Sequence, residues 1–345
     1  MKKASSFVLI LLLCLVLSTL PLVRAAEDSW TTLEPMPTAR SSFGVAVVDG
    51  KIYAIGGYNG TALNTNEMYD PETDTWTRKT SMPTARSNFG IAVFQNKIHV
   101  MGGYVRYSGF LDVHEVYDVE TDTWETRNNS SSYGAYFSAN VVGNEIFLIG
   151  GSLSPFHPWH TSDENRVYHP LTDTWTIKEP LPTAVSHHAS TVLDNELYVI
   201  GGQDIEFNAK YDLNHVYDVE TDTWSYKTPL SSSIFGATAC ATSGFFAPKR
   251  IHLLKENIHY GYDPENDSWT QETRMLTSRS GVGVAVVNDE IYVIGGYDGE
   301  NYRNENEKYT PADYIPEFPS WIVLPLFFVA TLVGVVARRK FFRSA

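Results

Sequence analysis

The amino-acid sequence predicts an all-β protein in which six copies of one four-stranded unit form a closed ring. First, an Asp-Ser-Trp or Asp-Thr-Trp phrase occurs six times, at intervals of 46, 48, 51, 49 and 45 residues. Second, a Gly-Gly pair and a tyrosine recur in a constant order between these tryptophans. Third, the runs between the turns are short and rich in β-branched residues. A sequence period near this length is typical of repeated four-strand units that stack on one another.

The first full copy shows what each unit contains. Its strand-sized runs lie at 40–48, 51–57, 66–69 and 74–76. Asp-Gly, Gly-Gly and Asp-Pro-Glu-Thr-Asp turns separate them, and connections this short favour antiparallel pairing because a parallel neighbour needs a longer crossover. Each unit is therefore predicted to be a four-stranded meander, whose strands are named a to d in chain order.

The glycine pair and the two aromatic residues of each copy are interpreted as packing positions. Each pair closes strand b, where backbones crowd and a side chain would not fit. The tyrosine of strand c and the tryptophan of strand d are expected to fill the space between neighbouring sheets. The glycine pairs begin at Gly56, Gly102, Gly150, Gly201 and Gly295.

The two ends of the repeated region complement each other. Trp30 has no strands before it, and Tyr309 has no tryptophan after it. A ring loses its open sheet edge if a strand at about 29–33 becomes the outer strand of the sixth unit. The fifth copy departs from the pattern: it lacks the glycine pair, and 250–254 is followed almost directly by 258–262. Its loop between strands b and c is therefore expected to be missing.

The glycine pairs, the strand-c tyrosine and the strand-d tryptophan resemble the Kelch repeat family over roughly residues 28–310. The resemblance implies a six-bladed Kelch-type β-propeller over residues 26–310. Kelch propellers serve as binding modules, and some secreted ones are enzymes, including copper radical oxidases and a sialic acid mutarotase. Because the framework is shared between blades, function is expected to depend on the residues that differ between them.

Both ends of the chain carry features of a membrane-anchored surface protein. Residues 1–25 have the charged, apolar and small-residue parts of a secretory signal peptide. The uncharged apolar run 321–337 is just long enough to span a bilayer, and the basic tail 338–345 favours a cytoplasmic C-terminus. The linker 311–320 contains Pro-Glu-Phe-Pro, which resembles the PEF-type anchor of archaeal surface proteins. This end is expected either to be processed near that motif or to be retained as a transmembrane helix.

The charge balance and the cysteine count limit the possible functions. The formal net charge is −14, and the predicted extracellular part, residues 26–315, carries about −20. An excess of acidic residues disfavours a nucleic-acid partner, because lysine and arginine bind phosphates. Only Cys240 remains after signal removal, so no intrachain disulfide is expected. No sequence motif indicates a cofactor, and a monomeric propeller is expected.

The candidate ligand site is the connection between strand d of one blade and strand a of the next. Alignment of the repeats places arginine at one position of this connection in three blades: Arg40, Arg86 and Arg279, against Gly134, Val185 and Ser232 in the other three. Three guanidinium groups facing one end of a channel would hold a carboxylate or sulfate through paired donors. Alternatively, they are framework residues that bond neighbouring loops. The predicted ligand-binding residues are Arg40, Ser42, Arg86, Asn88, Tyr104, Tyr136, Trp159, His187, Phe235 and Arg279.

The loop between strands b and c of blade three is the longest, with 17 residues from the second glycine to the tyrosine. It contains Phe-His-Pro-Trp-His at 156–160. Trp159 is expected either to form a stacking platform for a sugar or a partner protein, or to fold back over its own blade. Other tyrosines that could extend an aromatic surface are Tyr58, Tyr104, Tyr107, Tyr136, Tyr297 and Tyr302.

Catalysis is the competing class of function. The histidines and carboxylates of blades three and four match no known metal-ligand spacing, so no metal site is predicted: His157, His160, His187 and His188, with Asp163 and Asp204. Cys240 lies in an Ala-Thr-Ala-Cys-Ala run typical of a packed core, which disfavours oxidase chemistry. The sequence therefore favours a cell-surface-anchored binding or adhesion module for a surface protein or polysaccharide. The alternative is a secreted Kelch-type enzyme acting on carbohydrate, of the mutarotase, epimerase or oxidase type.

Overall fold

The computed structural model describes residues 28–128, 134–153 and 160–314. These residues form six four-stranded antiparallel sheets, the blades, and two short hairpins. The first strand and the strands of blades one and two are β1 (Ser29–Leu33), β2 (Gly44–Val48), β3 (Lys51–Ile55), β4 (Asn66–Asp70), β5 (Thr75–Lys79), β6 (Gly90–Phe94), β7 (Lys97–Met101), β8 (Tyr104–Val105), β9 (Gly109–Phe110), β10 (His114–Asp118) and β11 (Thr123–Arg127).

The remaining strands continue the same order. Those of blades three and four are β12 (Ser138–Val142), β13 (Glu145–Ile149), β14 (Asn165–His169), β15 (Thr174–Lys178), β16 (Ala189–Leu193), β17 (Glu196–Ile200), β18 (Gln203–Asp204), β19 (Ala209–Lys210), β20 (Asn214–Asp218) and β21 (Thr223–Tyr226). Those of blades five and six are β22 (Thr238–Thr242), β23 (Arg250–Lys255), β24 (Ile258–Asp263), β25 (Ser268–Gln271), β26 (Gly283–Val287), β27 (Glu290–Tyr297) and β28 (Tyr302–Thr310).

Blade six is completed by the N-terminal strand. Its strand order is β1-β28-β27-β26, and β1 pairs antiparallel with β28, which places Trp30 opposite Tyr309. The six-bladed ring and its closure by an N-terminal outer strand are therefore confirmed. With β1 added, every blade has four strands. Because the ring is closed, every blade also packs against a neighbour on each side.

The glycine pairs lie where one blade meets the next. A Cβ atom at Gly150 would lie 2.4 Å from the carbonyl oxygen of Val185 in the following blade, which is far inside van der Waals contact. The next residue, Gly151, donates its N–H to that same carbonyl at 2.8 Å. Both glycines have positive φ, a conformation that other residues adopt only with strain. The packing interpretation of the glycine pair is therefore confirmed.

Each Asp-x-Trp phrase fastens its blade to the preceding one. Trp124 Nε1 donates to the carbonyl oxygen of Thr80 at 2.9 Å, and the Thr80 N–H donates to Asp122 Oδ1, also at 2.9 Å. The Tyr117 hydroxyl donates to the same Asp122 oxygen. The phrase is therefore a hydrogen-bonding clasp as well as a core element. Five interior clasps have this geometry, in which one residue donates its N–H to the aspartate and accepts a hydrogen bond from the tryptophan. These residues are Glu34, Thr80, Asn128, Glu179 and Thr228.

The same clasp closes the ring. Trp30 Nε1 donates to the carbonyl oxygen of Thr273 in blade five at 2.9 Å, and the Thr273 hydroxyl donates to Asp28 Oδ2 at 2.7 Å. The first Asp-Ser-Trp phrase thus joins the sixth blade to the fifth across 243 residues of sequence. This contact explains why the phrase precedes the first full repeat.

Two blades contain a buried histidine pair where the other blades have an aromatic residue and an asparagine. His99 Nδ1 lies 3.0 Å from His114 Nε2 in blade two, and His252 Nδ1 lies 2.9 Å from His259 Nε2 in blade five. The corresponding pairs in the other blades are Tyr53 and Asn66, Phe147 and Asn165, Tyr198 and Asn214, and Tyr292 and Asn306. Burial, followed by the partner histidine, lowers the pKa of His99 to about 3. Burial also lowers the pKa of His114 to about 4 and depresses the pKa of both blade-five histidines.

These pairs predict an acid-sensitive fold. A histidine with a depressed folded-state pKa binds fewer protons folded than unfolded, so stability is lost as the pH falls below about 6.5 towards the folded-state values. Replacing each pair with phenylalanine and asparagine, as in blade three, is expected to lower the midpoint of acid unfolding by about one pH unit. Circular dichroism during acid titration measures this midpoint. An unchanged midpoint with unchanged stability at neutral pH would contradict the prediction.

The ends of the strands divide the ring into two faces. The connections between strands b and c, and between strand d and the next strand a, lie at one end of the ring, here called the loop face. The a–b and c–d turns lie at the opposite end, where β1 begins and β28 ends. Tyr314, near the end of the described chain, contacts Phe246 of the blade-five a–b turn, with ring centroids 6.1 Å apart. The described chain therefore begins and ends opposite the loop face.

The predicted terminal segments lie outside the described residues: the signal peptide 1–25, the transmembrane segment 321–337 and the tail 338–345. Most of the linker 311–320, including its Pro-Glu-Phe-Pro motif, also lies outside them. Within 28–128, 134–153 and 160–314, no helix has the length and apolar character needed to cross a membrane.

Candidate functional site

The three arginines expected at the channel mouth are engaged inside their own blades. Arg40, Arg86 and Arg279 are at most 1% exposed. Arg40 Nη1 lies 2.8 Å from a Glu67 oxygen, Arg279 Nη2 lies 2.8 Å from a Glu307 oxygen, and Arg86 pairs with Glu115. The expectation of a free guanidinium cluster is therefore corrected, because these groups are ion-paired away from solvent. The framework interpretation agrees with this geometry.

The arginines occur in the blades that supply a glutamate on strand c. Blades one, two and six carry both members of the pair. The other blades lack both, and have Arg166, His215 and Tyr260 at the glutamate position. The blade-five equivalent of the arginine is Ile234 and not Ser232, because its carbonyl accepts the Gly202 N–H as the Arg86 carbonyl accepts the Gly57 N–H.

A ring of backbone hydrogen bonds surrounds the channel on the loop face. One left-handed residue from each d–a connection forms this mouth ring: Ser42, Asn88, Tyr136, His187, Gly236 and Gly281. The N–H of Tyr136 donates to the Asn88 carbonyl, and that of His187 donates to the Tyr136 carbonyl, both at 3.1 Å. Asn88, Gly236 and Ser42 donate in the same way to the preceding member of the ring. Four of the predicted site residues, Ser42, Asn88, Tyr136 and His187, are thereby held around one opening.

The mouth ring borders a cavity of about 190 Å³. Its walls combine apolar side chains such as Phe43, Phe89 and Phe137 with polar groups of Ser42 and Asn88. Arg279 touches the cavity from its paired position, and Lys255 supplies a second basic side chain. The described residues that line this cavity include no carboxylate. Its chemistry therefore suits a neutral or anionic ligand with an apolar face.

Tyr136 and His187 form a flat platform at the mouth. Their rings are stacked, with centroids 4.0 Å apart and an interplanar angle of 18°. Phe110 meets Tyr136 edge-on at 6.4 Å. Burial lowers the pKa of His187 to about 4, so its imidazole is neutral near pH 7. Neighbouring His188 faces Ser138, with Nε2 2.9 Å from Oγ.

Further aromatic residues extend from this platform around blades one, two and six. Tyr302 contacts both Tyr297 and Tyr58, with centroids 5.1 and 5.8 Å apart. Arg106 Nη1 donates to the Tyr58 hydroxyl at 3.2 Å, which links the loops of blades one and two. The predicted site residue Tyr104 is half-buried and packs on Phe110. The proposed platform residue Trp159 lies outside the described residues.

The opposite side of the mouth lacks a wall because blade five has no b–c loop. Lys255 pairs directly with Ile258 across a two-residue turn, which confirms the expected loss of the loop. The predicted site residue Phe235 is half-buried and precedes Gly236 of the mouth ring. Lys255 Nζ lies 4.4 Å from the Phe235 ring centroid, and Lys210 Nζ lies 4.7 Å from it. Sequence analysis did not identify either lysine as a site residue, although it did identify the shortened blade-five loop beside them.

Neither metal binding nor Cys240 chemistry has an assembled site in the described part of the chain. No group of three or more His, Cys, Asp or Glu residues there could hold a metal ion. Cys240 packs in a hydrophobic cluster with Leu254, Met275 and Tyr309, and burial raises the pKa of its thiol.

Comparison with known proteins identifies the same architecture. A family model described as the attractin/LZTR1 β-propeller matches residues 19–246, and a Kelch motif model matches residues 278–325. Human Kelch-like protein 33 is 42% identical over 48 residues, which cover 14% of this chain and 9% of that protein. The solved structure of YjhT has a TM-score of 0.70 and 14% identity, covering 79% of this chain and 95% of that one.

Proposed function

Because this chain belongs to the attractin/LZTR1 β-propeller family, we propose that it is a cell-surface-anchored binding module whose loop face recognises a protein or carbohydrate ligand. The observation that supports this proposal is the mouth cavity, bordered by the stacked Tyr136 and His187 rings. A concave cavity that combines apolar walls with fixed polar groups is a common form of ligand site.

The position of the chain ends is consistent with surface display. Tyr314 lies opposite the loop face, and the apolar run at 321–337 follows it in sequence. An anchor attached there would direct the mouth away from the membrane. We propose that 1–25 is a signal peptide and that 321–337 anchors the protein, either as a retained helix or until processing at the Pro-Glu-Phe-Pro motif.

The chemistry of the cavity supports the binding proposal more than the catalytic alternative. Sugar epimerisation and hydrolysis require an acid and a base of matched pKa on either side of the reacting bond. The described lining offers His187, His188 and Lys255 without a partner carboxylate. The secreted carbohydrate enzyme remains the second candidate, since neutral His187 lies at the mouth and could accept a proton.

A glycan and acidic-peptide array probed with the full-length protein tests the proposal. Tyr136→Ala should weaken saturable binding at least tenfold, because an aromatic anchor at the centre of a site contributes about 2 kcal/mol or more. Tyr226→Ala is the matched control, because Tyr226 is exposed on outer strand β21. Equal binding by the two variants would contradict the proposed site. Conversion of a bound glycan into a new product would establish the enzyme alternative.

A further inference from the structure

Among the described residues, the loop face has a lateral opening, here called the notch, where blade five lacks its b–c loop. The notch is continuous with the mouth cavity, because Lys255, Leu254 and Gly236 line that cavity. A Cβ atom built on Gly236 would have no neighbour within 4 Å, so there is open space at this member of the mouth ring. The shortened hairpin lies beside this space, which leaves room for a ligand in the cavity to extend towards blade five.

The notch carries two lysines on a strongly acidic domain, beside the exposed carboxylate of Glu256 in the blade-five turn. Lys255 and Lys210 flank the Phe235 ring at 4.4 and 4.7 Å. Within the described residues, neither ammonium group forms an ion pair with a carboxylate. Both are therefore available for an anionic ligand, unlike the three buried arginines.

The mouth favours a sugar chain over a peptide that binds as an added β-strand. Such a peptide binds mainly through main-chain hydrogen bonds to free backbone groups. Five mouth-ring N–H groups already donate to the neighbouring member of the ring. The groups left for a ligand are side chains: the Ser42 hydroxyl, the Asn88 amide and the stacked rings of Tyr136 and His187. Flat rings beside polar side chains match the apolar faces and hydroxyls of a pyranose.

We propose that the notch and mouth cavity together bind a linear acidic polysaccharide. One sugar ring stacks on the Tyr136 platform, and the chain leaves through the notch, where its carboxylates meet Lys255 and Lys210. This inference rests on the proposed function, because it names the ligand class of the same loop-face site. It also moves the anion-binding groups from the arginines predicted by sequence to two lysines.

Binding of oligogalacturonates, from disaccharide to octasaccharide, by the full-length protein in detergent tests the inference. Carboxyl-reduced oligosaccharides of equal length are the neutral comparison. Affinity for the acidic series should increase with length until the notch is filled. Lys255→Gln should weaken the acidic ligands about tenfold, the effect of losing one charge-assisted contact, and leave the neutral ligands unchanged. Lys178→Gln, on outer strand β15, makes the same charge change away from the mouth and should have no effect.

The outcomes separate this inference from the proposed function. Neutral and acidic oligosaccharides that bind equally well, and require Tyr136, would overturn the acidic notch while retaining a loop-face binding module. Tighter binding of acidic peptides than of oligogalacturonates, with the same dependence on Lys255, would overturn the polysaccharide class alone. Binding that survives both Tyr136→Ala and Lys255→Gln would remove the loop-face site itself.

Discussion

Glu67→Gln is expected to destabilise the propeller by about 3–5 kcal/mol, the usual cost of leaving a buried charge without its partner. Glu67 and Arg40 are both fully buried, and the Glu67 carboxylate also accepts a hydrogen bond from the Thr38 hydroxyl at 2.7 Å. The amide would leave the Arg40 guanidinium uncompensated. Denaturant unfolding measures the change in the free energy of unfolding.

Two further variants test whether the loss of stability comes from an unpaired buried charge. Glu125→Gln removes the carboxylate of an exposed pair with Arg127 and should cost no more than about 1 kcal/mol. The double variant Arg40→Met with Glu67→Leu removes both charges and should recover much of the lost stability. Similar effects of Glu67→Gln and Glu125→Gln would show that the Arg40 pair is not buried in solution.

Trp30→Ala is expected to lower the free energy of unfolding by about 3 kcal/mol, because it removes the aromatic group and the hydrogen bond to Thr273. It should also loosen the contact between blades five and six, where the ring closes. Trp224→Ala, in an interior clasp, is the matched control. Both variants should lose similar stability, since the clasps are alike. Only Trp30→Ala should increase amide hydrogen exchange in β28, whose outer partner is β1. Equal protection of β28 in both variants would contradict closure by the N-terminal strand.

The architecture could be predicted from sequence because each blade must satisfy the same packing and hydrogen-bonding requirements. Gly150 has a neighbouring carbonyl where a side chain would lie, and Trp124 has a fixed hydrogen-bond acceptor in the preceding blade. Each constraint recurs at the same interval, so the period is visible without any knowledge of packing. The loss of the blade-five b–c loop was equally visible in the sequence, because the residues that would form the loop are missing there.

The candidate site was harder to predict because a repeated side chain can belong to the framework. Arg40 was expected to face the channel, yet its partner Glu67 lies 27 residues away on strand c. The signal was present: arginine and glutamate occur together in three blades and are both missing from the other three. Comparing one position between blades could not show this association. Comparing the arginine position together with the strand-c glutamate position would have shown it.

Lys255 was missed for the opposite reason. It lies in the irregular blade, at the position that the first glycine of the pair occupies in blade one, so it is not part of the repeated pattern. Its proximity to Phe235 and Lys210 depends on how the d–a connection of blade five passes over the shortened hairpin. That path is set by three-dimensional packing and cannot be obtained from the period of the repeat.

Hydrogen–deuterium exchange of the full-length protein, with and without the ligand selected on the array, tests the central claim most directly. Binding at the loop face predicts added protection in the d–a connections around Asn88, Tyr136 and His187 and in the blade-five turn at Lys255. The a–b turns and outer strands β5, β11, β15, β21 and β25 should be unchanged. Protection confined to those outer strands or to the a–b turns would contradict a binding site at the mouth of the propeller.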